Sequence, residues 1–258
     1  METHLFNSII FGPVNSRRLG LSLGINLLPV DKKICSFNCV YCECGLTDSE
    51  KLKEIPSVEV VSDELEKKLK ELIKDGKTLN SITYAGNGEP TLHPDFDKIL
   101  KNSVELRNKF APEAIITVIT NSSQLYKPKI ANSLQLADKA LLKLDTTDNN
   151  FFKKINRPAK DISIDEIMSF IENYSGKKII QTMFLRANFN GELLDNTTET
   201  SLKNLASFVS KIKAEEWMIY PIDRPTPEKF LTKIGKEEMD EIGGKLKKLT
   251  SVPITIKY

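Results

Sequence analysis

Cys35, Cys39 and Cys42 stand at Cys-x3-Cys-x2-Cys spacing, Cys44 follows two residues later, and the chain has no other cysteine. Thiolates set this closely suit an iron–sulfur cluster, which ordinarily takes four protein ligands. Three ligands leave one iron open, the arrangement needed to attach a substrate or cosubstrate directly to a redox centre. Three other readings stand beside this one. A structural zinc usually draws on two separated ligand pairs that surround the ion, and four thiols within ten residues fit that poorly. Disulfides belong to oxidising compartments, and no stretch here reads as a signal peptide. Incidental buried thiols would not cluster so tightly. Cys44 falls outside the three-thiol spacing.

A second stretch with chemical potential is Gly86-Asn87-Gly88-Glu89-Pro90-Thr91-Leu92-His93-Pro94. It follows a β-prone run, 81–85, and two glycines after a strand let the backbone turn sharply and approach a ligand. Arg17 and Arg18 offer guanidinium groups to an anion, with a surface salt bridge as the even alternative.

The composition frames these motifs. The chain has 258 residues, 40% hydrophobic and 28% charged, as in ordinary globular proteins. Its formal charge of +2 predicts no strong nonspecific attraction to nucleic acid, although a local basic patch is compatible with it. No stretch approaches the roughly 18–20 apolar residues of a membrane span. Free thiolates point to a reduced cytoplasm. Two histidines, His4 and His93, exclude a multi-histidine metal site within one chain.

The elements that must position the motifs follow from apolar periodicity. Residues 21–29 read as the first strand and lead into the cysteine loop. Residues 61–74 read as a helix with Leu65, Leu69, Leu72 and Ile73 on one face, Ser62 as its cap and Gly76 as its stop. Phe96, Ile99, Leu100 and Val104 give another helical stripe. Residues 115–120 are a β-branched buried strand ending in Asn121-Ser122-Ser123, which is suited to cap the next helix. Residues 139–144 form a strand ending at Asp145. Ser163 and Glu166 make a capping box. Residues 178–185 form a strand with Arg186 at its end, and Asn196 with Glu199 opens the helix that follows. Residues 217–220 are a sixth strand and 254–256 an edge strand; Gly243 and Gly244 weaken the last helix. Six strands alternating with helices argue for an α/β fold with a parallel sheet and fit an open (β/α)6 partial barrel, from which length alone does not separate a closed (β/α)8 barrel. Ligands of such folds bind at the C-terminal strand ends. There lie the cysteine loop, Gly86 to Glu89, Thr120, Asn121, Asp145 and the segment from Thr182 to Arg186. Tyr84 and Tyr220 are hydrogen-transfer candidates by strand position, but both read first as core.

With its three cysteines and Tyr41 just before the last, the chain resembles the radical S-adenosylmethionine (radical SAM) superfamily. The resemblance implies a six-unit partial barrel and a 4Fe–4S cluster on Cys35, Cys39 and Cys42, whose open iron chelates S-adenosylmethionine. One electron from a reductant such as a flavodoxin or ferredoxin then yields a 5′-deoxyadenosyl radical that abstracts hydrogen from a substrate. Gly86-Asn87-Gly88-Glu89 is similar to that family's Gly-Gly-Glu motif, whose backbone holds the methionine amino group. The departure at Asn87 leaves open whether Gly86 or Gly88 makes the contact. By the same resemblance, Tyr41, Thr120, Asn121, Asp145, Thr182 and Arg186 are expected around S-adenosylmethionine.

The 86–94 stretch, Leu144-Asp145 followed by Phe152-Lys153-Lys154-Ile155-Asn156-Arg157-Pro158, and Asp223-Arg224-Pro225 together resemble one branch of the superfamily. It includes 4-demethylwyosine synthase of the wybutosine pathway, which modifies a tRNA guanosine using pyruvate. The chain departs from that enzyme in lacking extra N-terminal cysteines and a long basic extension. The expectation is one radical SAM domain over 1–258, with its core at about 20–235. Its substrate is left unidentified, with RNA modification or radical activation of a partner protein as alternatives. Lys127, Lys129, Lys153, Lys154 and Arg157 are candidates for a phosphate-binding rim, against a solvated basic face.

Overall fold

Along residues 81–84, side chains alternate between two faces, as the two-residue repeat of a strand requires. Ile82 and Tyr84 point into the main apolar core, whereas Ser81 and Thr83 point the other way and hydrogen-bond to hydroxyls of neighbouring strands. Neighbouring strands share this division, and it decides which face carries helices and which can bind a ligand.

The structure, a computed structural model, describes residues 4–16, 19–47, 55–224, 226 and 228–258. Its strands are β1 (Ile10–Ser16), β2 (Gly20–Ile25), β3 (Ser81–Tyr84), β4 (Ile115–Thr120), β5 (Lys139–Lys143), β6 (Ile179–Phe189), β7 (Glu192–Asp195), β8 (Glu216–Pro221), β9 (Leu231–Lys233) and β10 (Ile254–Ile256). Its helices are α1 (Val58–Lys74), α2 (Phe96–Phe110), α3 (Pro128–Leu134), α4 (Asn149–Phe151), α5 (Ile164–Asn173), α6 (Glu199–Lys211) and α7 (Lys236–Leu249). A π-helical turn, Phe152–Asn156, continues α4.

The sheet runs β1-β2-β3-β4-β5-β6-β8-β10. From β2 to β10 every neighbouring pair on this path is parallel, so the six expected strands pair in chain order and β10 extends them. This is the expected α/β partial barrel. The outer face packs on α1, α2, α3, α5, α6 and α7 through one continuous core. Val61, Leu65, Leu69 and Leu72 of α1 are each at most 3% exposed, and burying each such side chain contributes about 1.5–3 kcal/mol. A separate small cluster, Leu141, Ile179 and Met218, fills the inner face.

Several expectations change. β1 is a strand that the apolar periodicity does not mark. It is an antiparallel edge with a register break between Phe11 and Val14, where Gly12 and Pro13 obscure the alternation. β6 runs on to Phe189 because β7 and β9 pair with its far end. Ser57, not Ser62, caps α1, and Ser62 Oγ donates back to the Val58 carbonyl. Asn121-Ser122-Ser123 caps no helix: Ser122 is left-handed, and α3 begins only at Pro128. Thr198 rather than Asn196 caps α6. The Ser163–Glu166 capping box is present. Arg17, Arg18 and Pro225 lie outside the described residues.

The two glycines of α7 differ in their surroundings. A Cβ on Gly243 would lie 2.5 Å from Ile256 Cδ1 on β10, whereas nothing lies within 4 Å of one on Gly244. Gly244→Ala is expected to raise stability by about 0.5–1 kcal/mol, the helix-propensity difference. Gly243→Ala is expected to gain less or lose, and urea midpoints of the two variants check this.

Candidate active site

The cysteine loop is held from two sides by backbone hydrogen bonds. On one side Ile34 N donates to Asn87 O (2.8 Å) and Glu89 N donates to Ile34 O (3.1 Å). Gly88 makes this approach possible: its φ is +135°, and a Cβ there would sit 1.7 Å from Ile34 O. On the other side Asn38 N donates to Arg157 O, Val40 N to Ile155 O, and Ala159 N to Ser36 O, at 2.8–2.9 Å. The Phe152–Pro158 stretch is therefore the loop's second support.

The four cysteines are half-buried and unbridged. Cys35 Sγ accepts from Phe37 N (3.4 Å) and Asn121 Nδ2 (3.5 Å), and Cys39 Sγ accepts from Asn156 Nδ2 (3.5 Å). Burial pushes the Cys35 thiol up to about 12 and raises Cys39 as well. The Cys42 thiol is lowered to about 6, first by a hydrogen bond from Cys44 and then by the Lys33 ammonium, while the same bond raises Cys44. Lys33 is itself buried, with Nζ 2.9 Å from Gly45 O. Burial lowers its pKa, but the charges of Cys42, Cys35 and Cys39 outweigh that, and the net shift is upward. A buried cation thus faces three potential thiolates.

Among the described residues, no three His, Cys, Asp or Glu side chains converge as ligands of one metal ion. A four-iron cluster binds each thiolate at a separate iron and needs no such convergence. Three thiols with individual hydrogen-bond donors and a buried counter-cation fit that group. They do not fit the zinc alternative, which requires ligands around one ion.

Beside Cys42 opens a cavity of about 360 Å³, with Tyr41, Cys44, Gly86, Met183 and Tyr220 in its wall. Gly86 lines the cavity, whereas Gly88 is spent on the seam with Ile34. An ion pair between Glu43 and Arg224 (2.7 Å), both cavity-lining residues, joins the cysteine loop to the segment after β8. Behind Tyr41 lies a buried polar network. Asp145 accepts from the Tyr41 hydroxyl, Asn156 Nδ2 (3.0 Å), Lys143 Nζ (2.8 Å) and Met183 N (2.9 Å). Lys143 also donates to Tyr220 Oη (2.8 Å) and lies 5.0 Å from the ring centres of both tyrosines. Burial depresses its pKa, but Asp145 and then Tyr220 more than compensate, so it stays an ammonium. Burial and Asp145 raise Tyr41 well above the ordinary phenol range.

The expected site residues divide into two groups. Cys35, Cys39, Cys42, Tyr41, Gly86, Asn121 and Asp145 gather around the loop, the cavity and the network behind it. Asn87, Glu89 and Thr120 are buried ties instead. Asn87 bonds Phe6 and Pro29 backbone groups, and Glu89 accepts from Thr91 N and Oγ1, Thr120 Oγ1 (2.7 Å) and Asn121 N (2.7 Å). Thr182 donates to Leu144 O (2.6 Å) and accepts from Trp217 Nε1 (2.9 Å). Arg186 is held by Glu238, Asp195 and Thr197 in the β6–β7 region. Tyr84 is core, its hydroxyl bonded to Ser103. Of the expected basic rim, Lys129 pairs with Asp97, Lys153 with Asp161, Lys154 with Glu192 and Arg157 with Glu228. Sequence reasoning missed Lys33, Lys143 and Asn156. Lys33 lies two residues before Cys35 and Asn156 lies in the quoted 152–158 stretch, but neither spacing nor periodicity marks them.

A family model described as the radical SAM superfamily matches residues 32–200. Over 230 residues the chain is 34% identical to a UPF0026 protein of Methanocaldococcus jannaschii, covering 87% of this chain and 66% of that one. It is 31% identical over 235 residues to a UPF0026 protein of Helicobacter pylori, covering 90% and 71%. The chain thus spans 66% of the length of the Methanocaldococcus relative. Among solved structures, a radical SAM methyltransferase from Sphaerobacter thermophilus shares the fold with a TM-score of 0.67 at 16% identity, over 92% of this chain and 66% of that chain. An archaeal TYW1 structure gives 0.55 at 11% identity, over 89% and 72%. The expected likeness to the wybutosine branch is therefore a distant likeness of fold, whereas the sequence likeness quoted above is to UPF0026 proteins. Among the described residues, no helix is long and apolar enough to cross a membrane.

Two outcomes follow from this geometry. Asp145→Asn removes the charge opposite buried Lys143 and is expected to cost about 3–5 kcal/mol, measured by urea unfolding at neutral pH. His93 is held neutral between Pro56 O (2.9 Å) and Asp95 N (3.1 Å), and burial lowers its pKa. Its unfolded form therefore protonates first as pH falls through the ordinary histidine range, near 6.5. Stability present above that value is lost between it and the lowered folded value, and His93→Gln should flatten this part of a stability–pH profile.

Proposed function

The chain belongs to the radical SAM superfamily and groups within it with UPF0026 proteins, and on that premise we propose an enzyme that holds a 4Fe–4S cluster on Cys35, Cys39 and Cys42 and S-adenosylmethionine in the cavity beside Cys42. The observation that carries this reading is a single juxtaposition. The cysteine loop, seated at the C-terminal strand ends, opens at Cys42 onto a cavity walled by Gly86 and Tyr41. When bound, the reduced cluster and S-adenosylmethionine supply a 5′-deoxyadenosyl radical for hydrogen abstraction. The chain's own residues hold, orient and exclude. Gly86 presents backbone to the cavity without a side chain. Tyr41, fixed by Asp145 and Asn156, closes the wall between the cysteine loop and the inner face. Lys33 and Lys143 supply fixed positive charge. Met183 and Ile119 give the cavity apolar surface, which excludes water from a reactive species.

A flavodoxin- or ferredoxin-type reductant is the partner this chemistry requires. The substrate is one whose reacting carbon reaches this cavity. The paired state of Lys129, Lys153, Lys154 and Arg157 weighs against a phosphate rim, so a small molecule is favoured over RNA, with a partner protein's exposed backbone as the other candidate. The test is anaerobic reconstitution with iron and sulfide, reduction, and addition of S-adenosylmethionine. Wild-type protein is expected to form 5′-deoxyadenosine, and Cys39→Ala to lose both the cluster signal and at least about two orders of magnitude of turnover. A colourless protein that holds stoichiometric zinc under the same conditions overturns the proposal.

A further inference from the structure

Each sulfur of the cysteine motif has a donor of its own, and two of these donors are asparagines from different parts of the fold. We propose that Asn121 and Asn156 are positioning residues for the cluster: each donates an amide hydrogen to a different ligand sulfur, and together they raise the potential at which the site accepts its electron. This rests on the cluster reading above.

Asn156 ends the π-helical turn and precedes Arg157, whose φ is +45°. Wide turns of this kind concentrate at functional sites. Here the turn brings the two hydrogens of one amide to three acceptors, one hydrogen being shared: Cys39 Sγ (3.5 Å), Tyr41 Oη (3.0 Å) and Asp145 Oδ2 (3.0 Å). Its Oδ1 is buried and has no hydrogen-bond partner among the described residues. The opposite amide orientation would aim that oxygen at a ligand sulfur and a carboxylate, both acceptors, so the orphaned oxygen marks which way the amide points. The same segment donates and accepts the backbone hydrogen bonds that hold residues 36–40, so the amide moves with the ligand loop.

Asn121 reaches the loop from the end of β4. Its backbone N–H is tied to Glu89 Oε2 (2.7 Å), its Oδ1 accepts from Ser123 N (3.0 Å), and its Nδ2 points at Ser36 Oγ (2.8 Å) and Cys35 Sγ (3.5 Å). Every polar atom of the side chain is thus engaged, which fixes the amide toward the sulfur. Reduction adds one negative charge that spreads over the cluster and its ligand sulfurs. A donor aimed at a sulfur stabilises the reduced form more than the oxidised form, so the potential rises.

The experiment is an EPR-monitored redox titration of the full chain, anaerobically reconstituted and without S-adenosylmethionine. Asn121→Ala and Asn156→Ala are each expected to lower the reduced-to-oxidised ratio at a fixed ambient potential about tenfold, which is 59 mV for a one-electron couple. The shifts should add in the double variant, because the two amides address different sulfurs. Asn156→Asp, which replaces the donor with an acceptor charge, should shift further in the same direction. Ser123→Ala loses the Ser36–Ser123 hydroxyl bond (2.6 Å) on the same loop without touching a sulfur, and should leave the potential in place. Wild-type potentials in both alanine variants, or an equal shift in Ser123→Ala, overturn the inference while leaving the cluster reading intact. If Asn156→Ala retains no iron, Asn121→Ala decides alone. A wild-type protein that forms no four-iron signal overturns the cluster reading and this inference together.

Discussion

The structure depends on the clamping of one loop by backbone hydrogen bonds on both sides. Residues 34–40 carry two of the three motif cysteines and belong to no strand, so their conformation must come from their neighbours. The 86–89 turn supplies one edge and the 155–159 segment the other. Each edge needs an unusual backbone: Gly88 at φ +135° on one side, a π turn with left-handed Arg157 on the other. Such conformations persist only where surrounding structure over-determines them. Glu89, with four donors from two elements, and Asp145, with four donors from four, supply that determination.

These two carboxylates also explain how a charged site sits among core residues. Isolated, each would be costly to bury. Glu89 is stabilised by neutral donors alone, and burial still raises its pKa. Asp145 is paired with Lys143, whose ammonium also rests between two aromatic rings. The inner face can therefore carry charge beside the cavity while the outer face remains a continuous apolar core.

The fold was largely legible, because the six parallel strands and their helices announce themselves through two competing periods of apolar residues. Edges were less legible: β1 hides its alternation behind Gly12 and Pro13, and β7 and β9 exist only because β6 overruns the barrel. At the candidate site, type and spacing mark Cys35, Cys39, Cys42, Tyr41 and Gly86, which the structure gathers around the cysteine loop and its cavity. Asn87, Glu89, Thr120, Thr182 and Arg186 were placed at the right end of the sheet, but position along a strand does not say which way a side chain is satisfied. Lys143 and Asn156 escaped because they meet partners far along the chain, Tyr220 at 77 residues and Cys39 at 117 residues away; Lys33 escaped because its partners lie within an irregular loop that no periodicity marks.

The row of hydroxyls across the inner face carries a property of its own. Ser22 and Thr83 meet at 2.8 Å, Thr83 and Ser81 at 2.9 Å, and Ser81 and Thr117 at 3.3 Å. In the first two contacts either oxygen can be the donor, and each proton turns about a single bond. Turning the Ser22, Thr83 and Ser81 protons reverses the first two contacts without moving a heavy atom, whereas in the third Ser81 is the donor. The floor beside Ser22 and Thr83, which line the cavity, therefore has no fixed hydrogen-bonding polarity. It can offer a hydrogen to an occupant that accepts and a lone pair to one that donates.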